Sequence, residues 1–143
     1  ANLYEAAGKL PRVRFFEGEE GLAAIRDDIG RAKAETVDEI IPFLDDVFGN
    51  TPPKSEEFEK KLKQVPHRII YTSRTGPLLP HKGKFYESRY MDWKDFSIEA
   101  EVVLYGQKVA VVVPKEKLIG VIIEDSTIAN TFRAIFHHFW KER

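Results

Sequence analysis

The last third of the chain, residues 99–140, carries the clearest pattern of hydrophobic and polar positions. Three short runs in it are rich in β-branched residues, at 102–105, 108–113 and 118–123. These runs predict three consecutive strands, because β-branched side chains suit a pleated sheet and each run has an ordinary strand length. The segments VAVVV and IGVII do not alternate with polar residues, which is typical of strands covered on both faces.

A helix is predicted directly after these strands. Asp125 and Ser126 can open it, because a short oxygen-bearing side chain accepts hydrogen bonds from the free N–H groups of a first turn. Apolar residues then recur at helical spacing, which predicts an amphipathic helix whose broad aromatic face packs on the sheet. The residues assigned to this face are Ile128, Ala129, Phe132, Ile135, Phe136, Phe139 and Trp140.

Upstream of residue 99, predicted strands alternate with predicted helices. Strands are expected at residues 12–16, 37–43, 68–73 and 85–91, the last as an edge strand, and helices at 20–34 and 55–63. Strands that alternate with helices indicate βαβ units. We therefore expect an α/β fold with a mixed, mostly parallel sheet flanked by helices.

Length and composition fit one globular domain and exclude several classes of protein. The 143 residues are 43% hydrophobic and contain no cysteine, so disulfides and thiolate metal sites are excluded and a cytoplasmic protein is expected. No apolar run reaches the roughly 18 residues that a membrane-spanning helix needs, so we expect no membrane partner. The formal net charge of −1 lacks the basic excess of a stand-alone nucleic-acid-binding protein.

Two stretches near opposite ends of the chain resemble a known family. They are PRVRFFEGEEGLAAI at residues 11–25 and KLIGVIIEDSTIANTFRAIFHHFW at 117–140. Together with the turn at Tyr105-Gly106, they resemble the C-terminal effector domain of TrmB-like transcriptional regulators of archaea and bacteria, which has a phospholipase D-like fold. The resemblance implies one phospholipase D-like half at residues 11–143, preceded by the end of a linker helix at 1–10.

The resemblance also implies what the chain binds. Family members carry a DNA-binding winged helix before this domain, and no such domain is present in this sequence, so DNA is expected to be bound only through that missing part. A homodimer is expected, because related one-half chains pair to make a complete two-half unit. A small-molecule effector is expected, of the sugar type that is frequent in the family, and no cofactor.

The catalytic motif of active phospholipase D-like proteins is H-x-K-x-x-x-x-D, followed by a D-G turn. Its His attacks the phosphodiester, its Lys holds phosphate oxygens, and its Asp supports the charge distribution. When Tyr105-Gly106 is aligned with that turn, the three positions fall on Ile98, Ala100 and Tyr105. The chemistry needs an activated nucleophile, and none of these side chains supplies one. We therefore predict no catalytic residues and no enzymatic activity.

Aromatic and charged residues around this degenerate motif form the candidate ligand site. An aromatic face beside converging charges suits a sugar or another polar small molecule, although such aromatics are also ordinary packing residues. The candidate ligand-binding residues are Arg89, Trp93, Glu99, Glu101 and Tyr105. No metal site is predicted, because His137 and His138 are adjacent on a helix, whereas helical ligand pairs are three or four residues apart.

The leading hypothesis from the sequence is a non-catalytic effector-sensing and dimerisation domain of a TrmB-like regulator. One alternative is a small phospholipase D-like phosphodiesterase or nuclease, for which His81 in the loop segment HKGK would be the second candidate nucleophile. Another alternative is a dimerisation module that binds no ligand.

Overall fold

The computed structural model describes residues 10–48, 59–60 and 62–141, and these form a seven-stranded sheet with helices on both faces. The strands in chain order are β1 (Arg12–Glu17), β2 (Val37–Ile41), β3 (His67–Tyr71), β4 (Tyr86–Tyr90), β5 (Glu101–Tyr105), β6 (Lys108–Val113) and β7 (Ile119–Glu124). The helices are α1 (Gly18–Arg31), α2 (Leu44–Phe48) and α3 (Ser126–Lys141). Across the sheet the strand order is β1-β7-β6-β5-β2-β3-β4.

The α/β class is confirmed, but the expectation of a mostly parallel sheet is wrong. Four of the six strand pairings are antiparallel, and only β2–β3 and β3–β4 are parallel. The connections explain the difference. β5, β6 and β7 are joined by short turns such as Gly106-Gln107, and a short turn reverses the chain, whereas a parallel neighbour needs a long crossover.

All four strands predicted upstream of residue 99 are present, with bounds that differ by no more than two residues. The short helix α2 was not predicted. The helix expected at 55–63 lies mostly outside the described residues, and the linker helix expected at 1–10 lies almost entirely outside them. Among the helices of the described part of the chain, none is long and apolar enough to cross a bilayer.

Helix α1 covers one face of the sheet, here called the α1 face. Gly18 begins the helix with a φ of +71°, and its N–H donates to the Leu118 carbonyl at 2.7 Å. Glycine adopts this backbone conformation at little cost. Leu22 and Ile25 are buried against strand residues such as Ile122. Helix α2 lies over the same face nearer to β3, so the α1 face is covered by two separate helices.

Helix α3 covers part of the opposite face, here called the α3 face. The Asp125 carboxylate accepts a hydrogen bond from the Ile128 N–H at 2.9 Å, so the predicted cap is confirmed. Phe136 is fully buried and stacks on Trp140, with ring centroids 5.7 Å apart. Ile135, however, is 49% exposed, and its assignment to the buried face is wrong. It lies about 100° around the helix from Phe136, outside the strip that contacts the sheet.

One buried ion pair on the α3 face connects the sheet to α3. Asp38 of β2 is 3% exposed, and Arg68 of β3 donates to both of its carboxylate oxygens at 2.8 Å. The Arg68 guanidinium also lies over the rings of Phe136 and Trp140. Because a bidentate pair of this kind has strict geometry, it fixes the pairing of β2 with β3 beneath the helix.

Replacing Phe136 with alanine should lower the free energy of unfolding by about 3–5 kcal/mol, because the change leaves a cavity in a fully buried position. Ile135→Ala is the matched control, since its side chain is exposed, and should change stability by about 0.5 kcal/mol or less. Urea denaturation of the two variants measures both values. Equal unfolding midpoints for wild type and Phe136→Ala would show that α3 does not pack on the sheet through this residue.

Candidate functional site

Two cavities lie next to the sequence-predicted residues Glu99 and Glu101, and helix α2 contributes to the lining of both. The strand-entry pocket has a volume of about 750 Å³ and lies where the chain enters β5. The α1-face pocket has a volume of about 600 Å³ and lies between α1, α2 and the sheet. Both volumes are within the range that small-molecule sites usually have.

The strand-entry pocket contains the position of the degenerate motif, since Glu99 and Ala100 line it. Arg74 and Lys115 also line it, and both bind the Asp46 carboxylate. Burial would raise the pKa of Asp46, but its hydrogen bonds with Lys115 and Arg74 outweigh burial and hold that pKa below its usual value. Arg74 also binds the Asp45 carboxylate, so both cations have carboxylate partners at the pocket wall.

An aromatic surface borders the strand-entry pocket at Phe43. The Arg74 guanidinium lies 3.9 Å from the centroid of the Phe43 ring, and Trp93 packs against the same ring with centroids 6.1 Å apart. Trp93 keeps 37% of its surface exposed. Two of the five predicted ligand-binding residues, Trp93 and Glu99, are therefore next to this pocket.

The structure does not bring the other three predicted ligand-binding residues to the same place. Arg89 lies on the α3 face, with its guanidinium 4.1 Å from the centroid of the Trp140 ring. Tyr105 is fully buried at the far end of β5. Glu101 lines the α1-face pocket. The predicted set is thus divided among separate parts of the fold.

The Tyr105 hydroxyl forms a hydrogen bond that connects β5 to α1. It donates a hydrogen bond to the Asp28 carboxylate at 2.8 Å, and Lys108 binds the same oxygen at 3.0 Å. Burial would raise the pKa of Asp28, but the hydrogen bonds from Lys108 and Tyr105 outweigh it and lower that pKa. Burial and the neighbouring Asp28 both raise the pKa of the Tyr105 hydroxyl. This phenol is therefore a poor nucleophile.

Glu39 and Glu101 line the floor of the α1-face pocket, and His67 of the neighbouring strand lies beside Glu39. Side chains alternate along a strand, and this places His67, Glu39 and Glu101 on the same face. His67 Nε2 lies 3.1 Å from Glu39 Oε1, and Nδ1 lies 2.6 Å from the Val65 carbonyl. Burial opposes charge on the ring, but the hydrogen bond and charge of Glu39 outweigh burial and raise the pKa of His67. Both ring nitrogens face acceptors, which favours the protonated ring.

Glu101 differs from its neighbours because no group among the described residues donates a hydrogen bond to its carboxyl. Burial, reinforced by the negative charge of Glu39, raises the pKa of Glu101 to about 8, and Arg26 opposes the shift. The Glu101 carboxyl is therefore mostly uncharged at neutral pH.

Sequence reasoning selected Glu101 but missed Glu39, His67 and Arg26, which share its surroundings. These residues are distant in the chain. The pairing of β2 with β5 brings Glu39 to Glu101, the pairing with β3 brings His67 to Glu39, and the packing of α1 on the sheet brings Arg26. In the part of the chain that the structure describes, no group of three or more His, Asp or Glu side chains is placed to hold a metal ion.

Comparison with known proteins finds likeness in structure alone. No family model and no curated protein matches the chain. Among solved structures, NucT from Helicobacter pylori superposes with a TM-score of 0.63 at 9% identity, over 92% of this chain and 97% of that chain. The phospholipase D family member Nuc from Salmonella typhimurium gives 0.60 at 14% identity, over 92% and 95%.

The third comparison is with TrmBL2, described as an archaeal chromatin protein that shows a novel mode of DNA binding. It gives a TM-score of 0.57 at 15% identity and covers 92% of this chain and 52% of TrmBL2. The present chain thus spans about half the length of that protein. At these identities the likeness concerns the fold, and the chain has the phospholipase D-like, TrmB-like fold that its sequence predicts.

Proposed function

We propose that this chain is a non-catalytic effector-sensing and dimerisation domain of a TrmB-like transcriptional regulator that acts in the cytoplasm. The main support for the proposal is the chemical nature of the side chains at the positions of the catalytic motif. Where active phospholipase D-like proteins have His and Lys, this chain has Ile98 and Ala100. An aliphatic side chain and a methyl group can neither attack a phosphodiester nor hold its oxygens.

The surroundings of the motif support the same conclusion. No His, Ser, Thr or Cys is among the described residues that line the strand-entry pocket. Three basic side chains of the described lining, Arg74, Lys115 and Lys117, are matched by the three acidic ones Asp46, Glu99 and Glu116, and Arg74 and Lys115 already bind Asp46. Tyr105, at the position of the motif Asp, donates a hydrogen bond to Asp28 in the core. A phosphodiester would therefore meet no activated nucleophile here, and its charge would compete with the carboxylates of the lining for the cations.

A neutral polar ligand such as a sugar fits the strand-entry pocket better than an anion does. The paired charges of Asp46, Arg74 and Lys115 offer hydrogen-bond donors and acceptors close together. Phe43 and its neighbour Trp93 supply an aromatic surface at the same place. Apolar surface with a few converging polar groups is typical of small-molecule sites, so we assign the effector to this pocket.

A surface for a second copy is available on the α3 face beside α3. Phe15 is 82% exposed, Val13 of the same strand is 45% exposed, and Ile119 of β7 is 42% exposed. They lie at the β1 edge of the sheet, where among the described residues β1 pairs only with β7. Two copies related by a two-fold axis would cover this apolar surface and the strand edge together, which an isolated chain leaves open.

The chain should not hydrolyse bis-p-nitrophenyl phosphate or single-stranded DNA above background, because the motif positions lack a nucleophile. The assay compares wild type with His81→Ala, since His81 is the alternative nucleophile, and with His137→Ala as a matched control on the exposed surface of α3. Turnover that His81→Ala abolishes and His137→Ala leaves intact would contradict the proposal and make the chain a phosphodiesterase.

Light scattering at high protein concentration should give twice the 16.5 kDa mass of one chain. Phe15→Glu should weaken the dimer about tenfold or more, because it places a charge in an apolar contact. Ile135→Glu is the matched control, being an exposed apolar residue on α3, and should leave the dimer unchanged. A wild-type mass near 16.5 kDa at every concentration would contradict dimerisation, and equal effects of both variants would contradict the proposed surface.

A further inference from the structure

We propose that the α1-face pocket is a second binding site, specific for a small organic carboxylate with an aliphatic body. It is separate from the effector pocket proposed above, so the two proposals are independent. The inference comes from three features of this pocket: its aliphatic walls, two cations at its mouth, and a carboxyl in its floor, with no ion-pair or hydrogen-bond partner for any of the three charged groups among the described residues.

The walls of the pocket are almost entirely aliphatic. They come from α1, α2, the segment before β3 and the sheet, and include Ile29, Ile41, Leu44, Leu62, Ile69 and Val103. Burying an aliphatic group of a ligand against such walls is favourable in proportion to the apolar area that leaves water. The walls therefore favour a ligand with an aliphatic chain, and the charged groups determine which polar group that chain can carry.

Arg26 and Lys63 line the pocket and lie largely in solvent, as expected of its mouth. Gly30 lies four residues, or about one helical turn, after Arg26 on α1. A Cβ placed on Gly30 would lie 3.1 Å from the Lys63 Nζ, so the ammonium group reaches α1 at the place where glycine leaves room. Among the described residues, neither Arg26 nor Lys63 has a carboxylate partner. Two positive charges thus lie at the same mouth of the pocket, and no described carboxylate forms an ion pair with either.

The charges around the floor favour an anion at neutral pH. The charged groups that line the pocket with Glu101 are Glu39 on β2, Arg26 on α1 and Lys63 before β3, whereas α2 supplies aliphatic side chains. Behind the lining, His67 on β3 is paired with Glu39, which raises the pKa of His67. Glu101 is mostly uncharged, because burial and Glu39 raise its pKa to about 8. The pocket therefore has net positive charge, and the protonated Glu101 can donate a hydrogen bond to a ligand oxygen.

An organic amine is the competing ligand, since two glutamates line the floor. It would have to enter past Arg26 and Lys63 and would bind only after Glu101 loses its proton. The positive charges at the mouth repel the ammonium group of an amine, and the loss of the Glu101 proton costs further free energy, so both effects oppose amine binding. The carboxylate is therefore the ligand that the described charges favour.

Three probes with the same aliphatic body and different heads distinguish these ligands: hexanoate, hexylammonium and hexan-1-ol. Isothermal titration calorimetry on the wild-type chain at pH 7 should show saturable hexanoate binding, about tenfold or more tighter than that of the other two, because a charge-assisted hydrogen bond contributes on the order of 1.5–3 kcal/mol. Amide chemical-shift changes should concentrate at Ile41 and Val103. No saturable hexanoate binding up to about 20 mM, or tighter binding of hexylammonium, would overturn the proposal.

Substitutions test separately the contribution of the cations at the mouth of the pocket and that of Glu101 in its floor. Lys63→Met and Arg26→Gln should each weaken hexanoate binding about tenfold, whereas Lys94→Met, an exposed lysine outside the pocket, should not change it. Wild-type affinity should fall as pH rises through about 8, because Glu101 becomes charged, and Glu101→Gln should bind at neutral pH and lose most of that decline. Equal affinity of Lys63→Met and wild type, or the same pH profile in Glu101→Gln, would overturn the site. Neither result would affect the non-catalytic proposal, which rests on Ile98 and Ala100.

Discussion

The register of β2 against its two neighbours is the constraint on which the rest of the structure depends. β2 pairs antiparallel with β5, with Glu39 opposite Val103, and parallel with β3, with Asp38 opposite Arg68. A slip by one residue would move every side chain of β2 to the other face. The observed register sends Asp38 toward α3 and Glu39 toward α1. It thereby determines both the buried ion pair and the polar floor of the α1-face pocket.

The buried ion pair and the polar floor differ in their effects on stability. Arg68 satisfies both oxygens of Asp38, and the pair also packs under the aromatic rings of α3. Glu101, in contrast, has a pKa raised to about 8 and lacks a hydrogen-bond partner among the described residues. A carboxyl with a raised pKa in the folded state makes the protein less stable as pH rises from the ordinary value of that carboxyl toward the raised one. A group that opposes folding in this way, in a cavity, is typical of a binding site, which is why we assign Glu101 to ligand recognition.

Local patterns in the sequence predicted the features of the fold that depend on residues close together in the chain. The strands β5–β7, the cap at Asp125 and the burial of Phe136 all follow from periodicity within a few turns or one strand. The direction of the strands was less predictable, because alternating strands and helices at the start of the chain suggested crossovers, whereas the second half folds back through tight turns. Ile135 was misplaced because it lies at the margin of the apolar strip of α3.

The composition of the candidate sites was harder to predict, because it depends on contacts between residues that are distant in the chain. Trp93 and Glu99 were correctly placed near one pocket, because they are close in the chain and flank the entry to β5. Arg89 and Tyr105 were included for their chemistry, but the pairing of the strands sends them to the opposite face and to the core. Glu39 becomes a neighbour of Glu101 through that same pairing, and Arg26 through the packing of α1 on the sheet.

The titration of the Glu101 carboxyl is the direct test of the α1-face pocket, because a nearly neutral acid with no hydrogen-bond donor among the described residues distinguishes this pocket from an ordinary charged surface. Carbon-13 NMR of the side-chain carboxyl, assigned through loss of its signal in Glu101→Gln, measures it without any ligand. We expect a midpoint near pH 8 that falls in Glu39→Gln, because that variant removes the neighbouring negative charge. A midpoint near the ordinary glutamate value of 4.5, unchanged in Glu39→Gln, would contradict it.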